Sequence, residues 1–310
     1  MNNVTVVMYH YVRDFKTSKY KGLKGLQVEL FEKQILFFKD NYTIVGMEDI
    51  YESLLHKKPL PDNALLLTFD DGYIDHYEFV FPILKKHKLT GAFFPPVLTA
   101  QQEVVLDVNI IHHVLGAVEN SKLLMSRVLK LVEMNREKYS LESDEYYIEK
   151  YFQSNRFDTP ETIFVKRMLQ VALPYELRRN ICLDLLKEFL GVDEKQLAMD
   201  LYMNMKQIKE MKAAGMFFGG HGYKHKWLNS LTSKEITEEI DHTISFLKEI
   251  GMPAENWAIC YPYGGFNDDV LHVLKNKSCL VGFTTEMRIA DLSLDNSLLI
   301  PRLDTNDIKY

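Results

Sequence analysis

No part of this chain offers the roughly 20 consecutive apolar residues that a membrane-spanning helix requires, which excludes a helical channel or transporter. Cysteine is scarce. Cys182, Cys260 and Cys279 form no C-x-x-C pair, and their odd number suits a reduced compartment. An excess of positive charge is also missing. Lysine and arginine total 37 against 43 aspartates and glutamates, and the net charge of −6 argues against a nucleic-acid backbone as the main partner. With 15 glycines and 10 prolines, long disordered segments are not expected. The first residues lack a basic leader and their apolar stretch is short for a signal peptide, so the expected location is cytoplasmic. What is present, 46% hydrophobic and 26% charged residues over 310 positions, suffices for a large core and fits the length of one α/β barrel.

Residues 4–8 read as a short β-branched strand that ends at Tyr9-His10-Tyr11, and 12–26 as a polar loop. A helix over 28–41, a strand at 43–45 and a helix over 48–56 follow. Leu65-Leu66-Leu67-Thr68-Phe69 has the look of a parallel strand covered on both faces, and it runs straight into Asp70-Asp71-Gly72. A helix over 77–87 and a strand at 92–94 complete a β-α-β unit. This alternation predicts a parallel sheet or barrel. It then stops, because 106–212 carries helical patterning throughout, with runs at 111–118, 123–134, 161–171 and 176–190. Strands resume at 216–219, 257–260 and 280–283, and a closing segment covers 298–304. Between them lie a helix opened by the capping box Thr232-Ser233-Lys234-Glu235 and another over 268–275.

Three segments fall at the C-terminal ends of expected strands: Asp70-Asp71, His221-x-x-x-His225 and Tyr261-Pro262-Tyr263-Gly264. Loops converge on a barrel's axis at that end, which is a physical reason to group them. Asp71, His221 and His225 supply the carboxylate and imidazoles that a divalent ion takes while keeping a position open for water. Two histidines four apart are weak evidence alone. Gly219, Gly220 and Gly222 strengthen it, since they permit a tight backbone around a small ion. The adjacent carboxylates allow a division of labour, one ligating a metal and the other accepting a proton.

At these residues the chain resembles a known family. Thr68-Phe69-Asp70-Asp71-Gly72, His221-Gly222-Tyr223-Lys224-His225 and Tyr261-Pro262-Tyr263-Gly264 are similar, in order and spacing, to three signatures of the polysaccharide deacetylases (the NodB homology domain, carbohydrate esterase family 4). Val7-Met8-Tyr9-His10-Tyr11-Val12 is similar to the circularly permuted branch that includes poly-N-acetylglucosamine deacetylases. The resemblance covers about 4–98 and 205–308. It implies an α/β fold, a distorted (β/α)7-type barrel, as one domain over 1–310 with a helical insertion at about 101–212. It further implies Asp70 as general base and Asp71, His221 and His225 as ligands of a divalent metal, zinc first, with cobalt, nickel or manganese as alternatives. The Tyr263 backbone N–H would hold the oxyanion, and His10 would be the acid. Arg302 and Asp304, in Pro301-Arg302-Leu303-Asp304, would orient and tune the base and acid.

The sequence also departs from the family pattern. Gly222 stands where Ser or Thr is usual, removing a supporting hydrogen bond. Cys260 takes the place of the arginine of the third motif, which makes Arg302 the candidate partner for Asp70. The C-terminal Leu-x-His motif is missing, so the mechanism needs His10. The implied partner is an N-acetylated sugar or glycan, with no nucleic acid, no transmembrane segment and an oligomeric state that the sequence leaves open. Competing readings are hydrolysis of a non-sugar amide or O-acetyl ester, and a carbohydrate-binding module without catalysis. The intact Asp70 and His10 argue against the last. The other histidines, 56, 76, 87, 112, 113, 242 and 272, sit in helical or loop contexts that favour structural roles, and neither Tyr73 nor Asp75 has a spacing that assigns it one. Trp227 is read as core packing or as a stacking surface for a sugar ring.

Overall fold

In a computed structural model the described residues are 2–18, 20, 22–101, 104–154 and 158–308. The chain divides into two compact units, one drawn from Met1–Arg13, Gly25–Val104 and Met199–Tyr310, the other from Asp14–Lys24 and Val105–Ala198. The strands in chain order are β1 (Asn3–Tyr9), β2 (Val12–Arg13), β3 (Leu26–Gln27), β4 (Thr43–Val45), β5 (Ala64–Asp70), β6 (Ala92–Phe94), β7 (Phe217–Phe218), β8 (Trp257–Cys260), β9 (Cys279–Phe283), β10 (Ala290–Asp291) and β11 (Leu303–Asp304).

In the first unit these strands close a barrel. The pair β1 and β5 is parallel from Val4↔Ala64 to Tyr9↔Phe69. β6 continues the sheet on the second half of β5, and β4 occupies the first half of the same edge. β7 follows β6 in parallel, and a parallel bridge from Gly220 to Ile259 reaches β8, which pairs with β9. Phe283 bridges Ile300, and β11 returns to β1 through Val7↔Leu303 and Met8↔Asp304. The ring β1-β5-β6-β7-β8-β9-β11 is thus a seven-stranded parallel barrel, as the sequence led us to expect. Its seam consists of single bridges and two-residue strands, which is the distortion.

Alternation along the strands separates two apolar layers. Leu65, Leu67 and Phe69 pack with Phe31, Ile35, Ile236, Ile240 and Leu247 of the surrounding helices. Val4, Val6, Ala64, Leu66, Ala92, Phe94, Ala258, Cys260 and Phe283 form the second layer, the barrel interior. Every residue of β5 is buried, so Asp70 ends a strand with no solvent on either face.

The second unit is helical, with Asp107–Ala117, Ser121–Glu133, Asp144–Tyr151, Pro160–Arg167 and Tyr175–Leu190 as its main helices. Asn120, Ser143 and Thr159 cap three of them through side-chain oxygens. The unit begins at 105 and ends at 198, inside the span read as an insertion, and it takes up residues 14–24 as well. The helix Met205–Ala213 belongs to the barrel unit instead. Among the described residues no helix is long and apolar enough to cross a membrane.

Candidate metal centre

The strand β5 delivers two carboxylates to different places. Asp70 continues the alternation of Leu66 and Thr68 and so faces the barrel interior. At Asp71 the backbone turns left-handed (φ 70°), and Gly72 follows at φ 68°. A β-carbon on Gly72 would lie 2.6 Å from that of Pro95, so the turn admits only glycine. The Asp71 N–H donates to the carbonyl of Phe94 (3.1 Å), and the tyrosine two residues on folds back over the turn. Its hydroxyl, Tyr73 Oη, donates to Asp71 Oδ2 at 2.6 Å.

Both histidines leave the end of β7. Gly219 abuts the Phe94 ring and the Ala258 carbonyl, and Gly220 abuts Thr243 and Trp257. Those two glycines are therefore set by close packing between strand and neighbour rather than by the wrapping of an ion, a correction to the reading above. Gly222 is the loop glycine proper (φ 75°). Support for the loop comes from Glu239, a buried carboxylate on the helix Ser233–Glu249, which accepts the N–H groups of Tyr223 (2.8 Å) and Lys224 (2.9 Å). It holds the loop where the sequence lacked the usual hydroxyl. His225 then sits at φ 53°.

The three expected ligand side chains meet. Asp71 Oδ1 is 3.3 Å from Nε2 of His221 and 3.3 Å from Nε2 of His225, and the two Nε2 atoms are 3.1 Å apart. Donors about 2.1 Å from one ion lie about 3.0 Å apart at octahedral angles and about 3.4 Å apart at tetrahedral ones. The measured triangle fits a divalent ion on that ground. It fits on chemistry too, because Asp71 Oδ1 is buried and has no hydrogen-bond partner among the described residues. His221 Nδ1–H donates to the Cys260 carbonyl (2.8 Å), which turns the Nε2 lone pair toward the triangle. Burial raises the Asp71 carboxyl, but the adjoining imidazoles outweigh it and hold the group well below the usual range.

Asp70 is gripped by Arg302. Nη1 donates to Oδ1 at 2.9 Å and Nη2 to Oδ2 at 2.7 Å, both residues being buried. The guanidinium is held in turn by the Thr284 carbonyl (3.0 Å), Thr68 Oγ1 (3.2 Å) and Cys260 Sγ (3.1 Å). Position 260 faces the interior, and the arginine that the third motif lacks there is replaced in space from position 302. Burial drives the Asp70 carboxyl up, yet the Arg302 charge prevails and brings it down to about 2.

Tyr263 has left-handed backbone (φ 56°) in the turn that follows β8. Its ring stacks on Trp227 (4.7 Å, 11°) and meets the edge of His225 (4.6 Å, 66°). Trp227 is 39% exposed, so it is not a core residue. His10 lies at the end of β1, close enough for its charge to act on both Asp70 and Asp71. Its backbone carbonyl accepts Nε2–H of buried His76 (2.9 Å). Asp304 accepts from the backbone N–H (2.9 Å) and side-chain amide (2.6 Å) of Asn306, so its described contacts are those of a turn cap rather than of a partner to the base or acid. The sequence assigns no role to Tyr73 or Glu239 and only a structural one to His76. Tyr73 alone left a trace there, as an aromatic directly after Asp-Asp-Gly.

Residues 57–106 and 189–279 match the family model described as polysaccharide deacetylase. A poly-β-1,6-N-acetyl-D-glucosamine N-deacetylase of Escherichia coli (strain K12) is 30% identical over 95 residues, which is 30% of this chain but 14% of that protein. Among solved structures, the Streptococcus pyogenes deacetylase PplD in complex with acetate superposes with a TM-score of 0.57 at 20% identity, covering 97% of this chain and 92% of that one. IcaB from Ammonifex degensii gives 0.56 at 18% identity, over 98% and 92%. At such identities the two structures speak for the fold, a NodB-type barrel. Motifs, matched segments and barrel agree in their resemblance to the polysaccharide deacetylase family.

Proposed function

We propose that this chain hydrolyses the N-acetyl group of an amino sugar in a glycan or glycan precursor. The observation that carries this reading is the split between neighbouring carboxylates, Asp71 set beside two imidazoles and Asp70 clamped by Arg302. Asp71, His221 and His225 would hold the divalent ion, with zinc the first candidate. Such an ion, when bound, supplies a Lewis acid for the acetyl carbonyl and lowers the pKa of water. Asp70, kept anionic and aimed by Arg302, takes the proton of the attacking water. The Tyr263 N–H donates to the oxyanion, a contribution of roughly 100- to 1,000-fold in such sites. His10 gives a proton to the departing amine, without which the amine is a poor leaving group. The N-acetylglucosamine polymer named for the E. coli relative supports the amino-sugar substrate. Three unpaired, buried cysteines support a reducing compartment as its place of work, which fractionation of the producing cell tests.

The test is acetate release from N-acetylglucosamine oligomers by protein loaded with zinc or cobalt. Asp70→Asn should abolish release and leave metal content unchanged, whereas Asp71→Asn should lose both. Undiminished release by Asp70→Asn overturns the assignment.

A further inference from the structure

We infer that Tyr73 is a positioning residue of the metal centre, whose hydroxyl occupies Oδ2 of Asp71 and thereby restricts this ligand to one oxygen. The inference rests on the metal site proposed above. Asp71 is constrained from three directions. Its backbone is left-handed, its N–H is bound to the Phe94 carbonyl, and Oδ2 accepts a 2.6 Å hydrogen bond from Tyr73. Only Oδ1 is left, and it is the oxygen that faces both Nε2 atoms.

Tyr73 is itself fixed. Its ring is stacked between Tyr11 (4.1 Å, 20°) and Tyr202 (6.1 Å, 11°), and Tyr11 also engages it by a side-chain hydrogen bond. Its backbone bridges that of Tyr202, while Met203 N–H donates to the Gly72 carbonyl (3.0 Å). The phenol is buried. A carboxylate free to rotate or to bind through both oxygens would raise the coordination number and take up a position that substrate or water needs. The tyrosine excludes that arrangement by holding Oδ2 with a charge-assisted hydrogen bond.

Cobalt(II) titration of the full chain, followed by visible absorption, tests this directly. Tyr73→Phe keeps the ring and removes the hydroxyl. We expect cobalt affinity to fall about 10- to 100-fold, with weaker d–d bands as the coordination number rises. Tyr51→Phe, which removes a buried hydroxyl without a partner among the described residues, should match the wild type in both. Wild-type affinity and spectrum in Tyr73→Phe overturn the inference alone. Failure of the wild-type chain to take up cobalt overturns both the inference and the metal-dependent reading. If Tyr73→Phe does not fold, a metal-loaded crystal structure of the wild type decides. One Asp71 oxygen on the ion with Tyr73 on the other supports the inference, and two oxygens on the ion overturn it.

Discussion

Arg302 and Asp70 form an ion pair with almost no access to water, and such pairs behave asymmetrically. Removing one member strands the other, at about 3–5 kcal/mol. Arg302→Met should therefore cost about that much stability in urea unfolding and lower acetate release at least about 100-fold, with metal content retained. Arg302→Lys should recover little, since a single ammonium cannot make the two-pronged contact. His76 supplies a pH dependence. Burial brings its pKa down from 6.5 to about 4, and its Nδ1 has no acceptor among the described residues, so the folded state disfavours the second proton. The unfolded chain binds that proton below pH 6.5 and the folded chain only near 4. Stability is thus fully present above 6.5 and is lost as pH falls between these values. From pH 6.5 to 5 the loss is about 2 kcal/mol. Denaturation curves of wild type and His76→Phe should diverge in slope across that interval; parallel curves would remove His76 from the account.

At the scale of elements, the histidine loop depends on a helix that contributes no ligand. Glu239 sits on the inner face of Ser233–Glu249 and holds two consecutive loop N–H groups. The capping box Thr232–Glu235 starts that helix and so sets where Glu239 falls. Glu239→Ala should weaken zinc or cobalt binding about 10-fold or more by isothermal titration, because the spacing between His221 and His225 loses its support. The effect should exceed that of Thr232→Ala, whose lost cap costs about 1 kcal/mol without touching the loop.

Across the whole molecule, the barrel closes through short contacts near the end of the sequence. Ile300 bridges β9, while Leu303 and Asp304 pair with β1. The same segment carries Arg302. A chain shortened to end at Leu298 would open the ring and leave Asp70 as an uncompensated buried charge. Against a typical stability of about 5–15 kcal/mol, that loss should abolish cooperative melting and the near-ultraviolet circular dichroism of the packed aromatics. A sharp transition in the shortened protein would show that the seam is dispensable.

Much of this was legible in linear order because local rules act over a few residues. Apolar runs marked β5 and β8, a three-residue spacing marked the cap at Thr232, and short motifs marked Asp70, Asp71, His221 and His225. Arg302 was legible only by inference from a missing arginine at 260, since two positions 42 residues apart become interchangeable only where both reach the barrel axis. Neither Tyr73, despite its place directly after Asp-Asp-Gly, nor Glu239 could be given a role, because their worth lies in which carboxylate oxygen or backbone N–H they meet. Asp304 shows the converse, a motif residue whose described partners come from its own turn. Alternation and motif are properties of neighbours along the chain, whereas hydrogen-bond partners across a closed barrel depend on strand register and on a backbone twist at Asp71 that no composition announces.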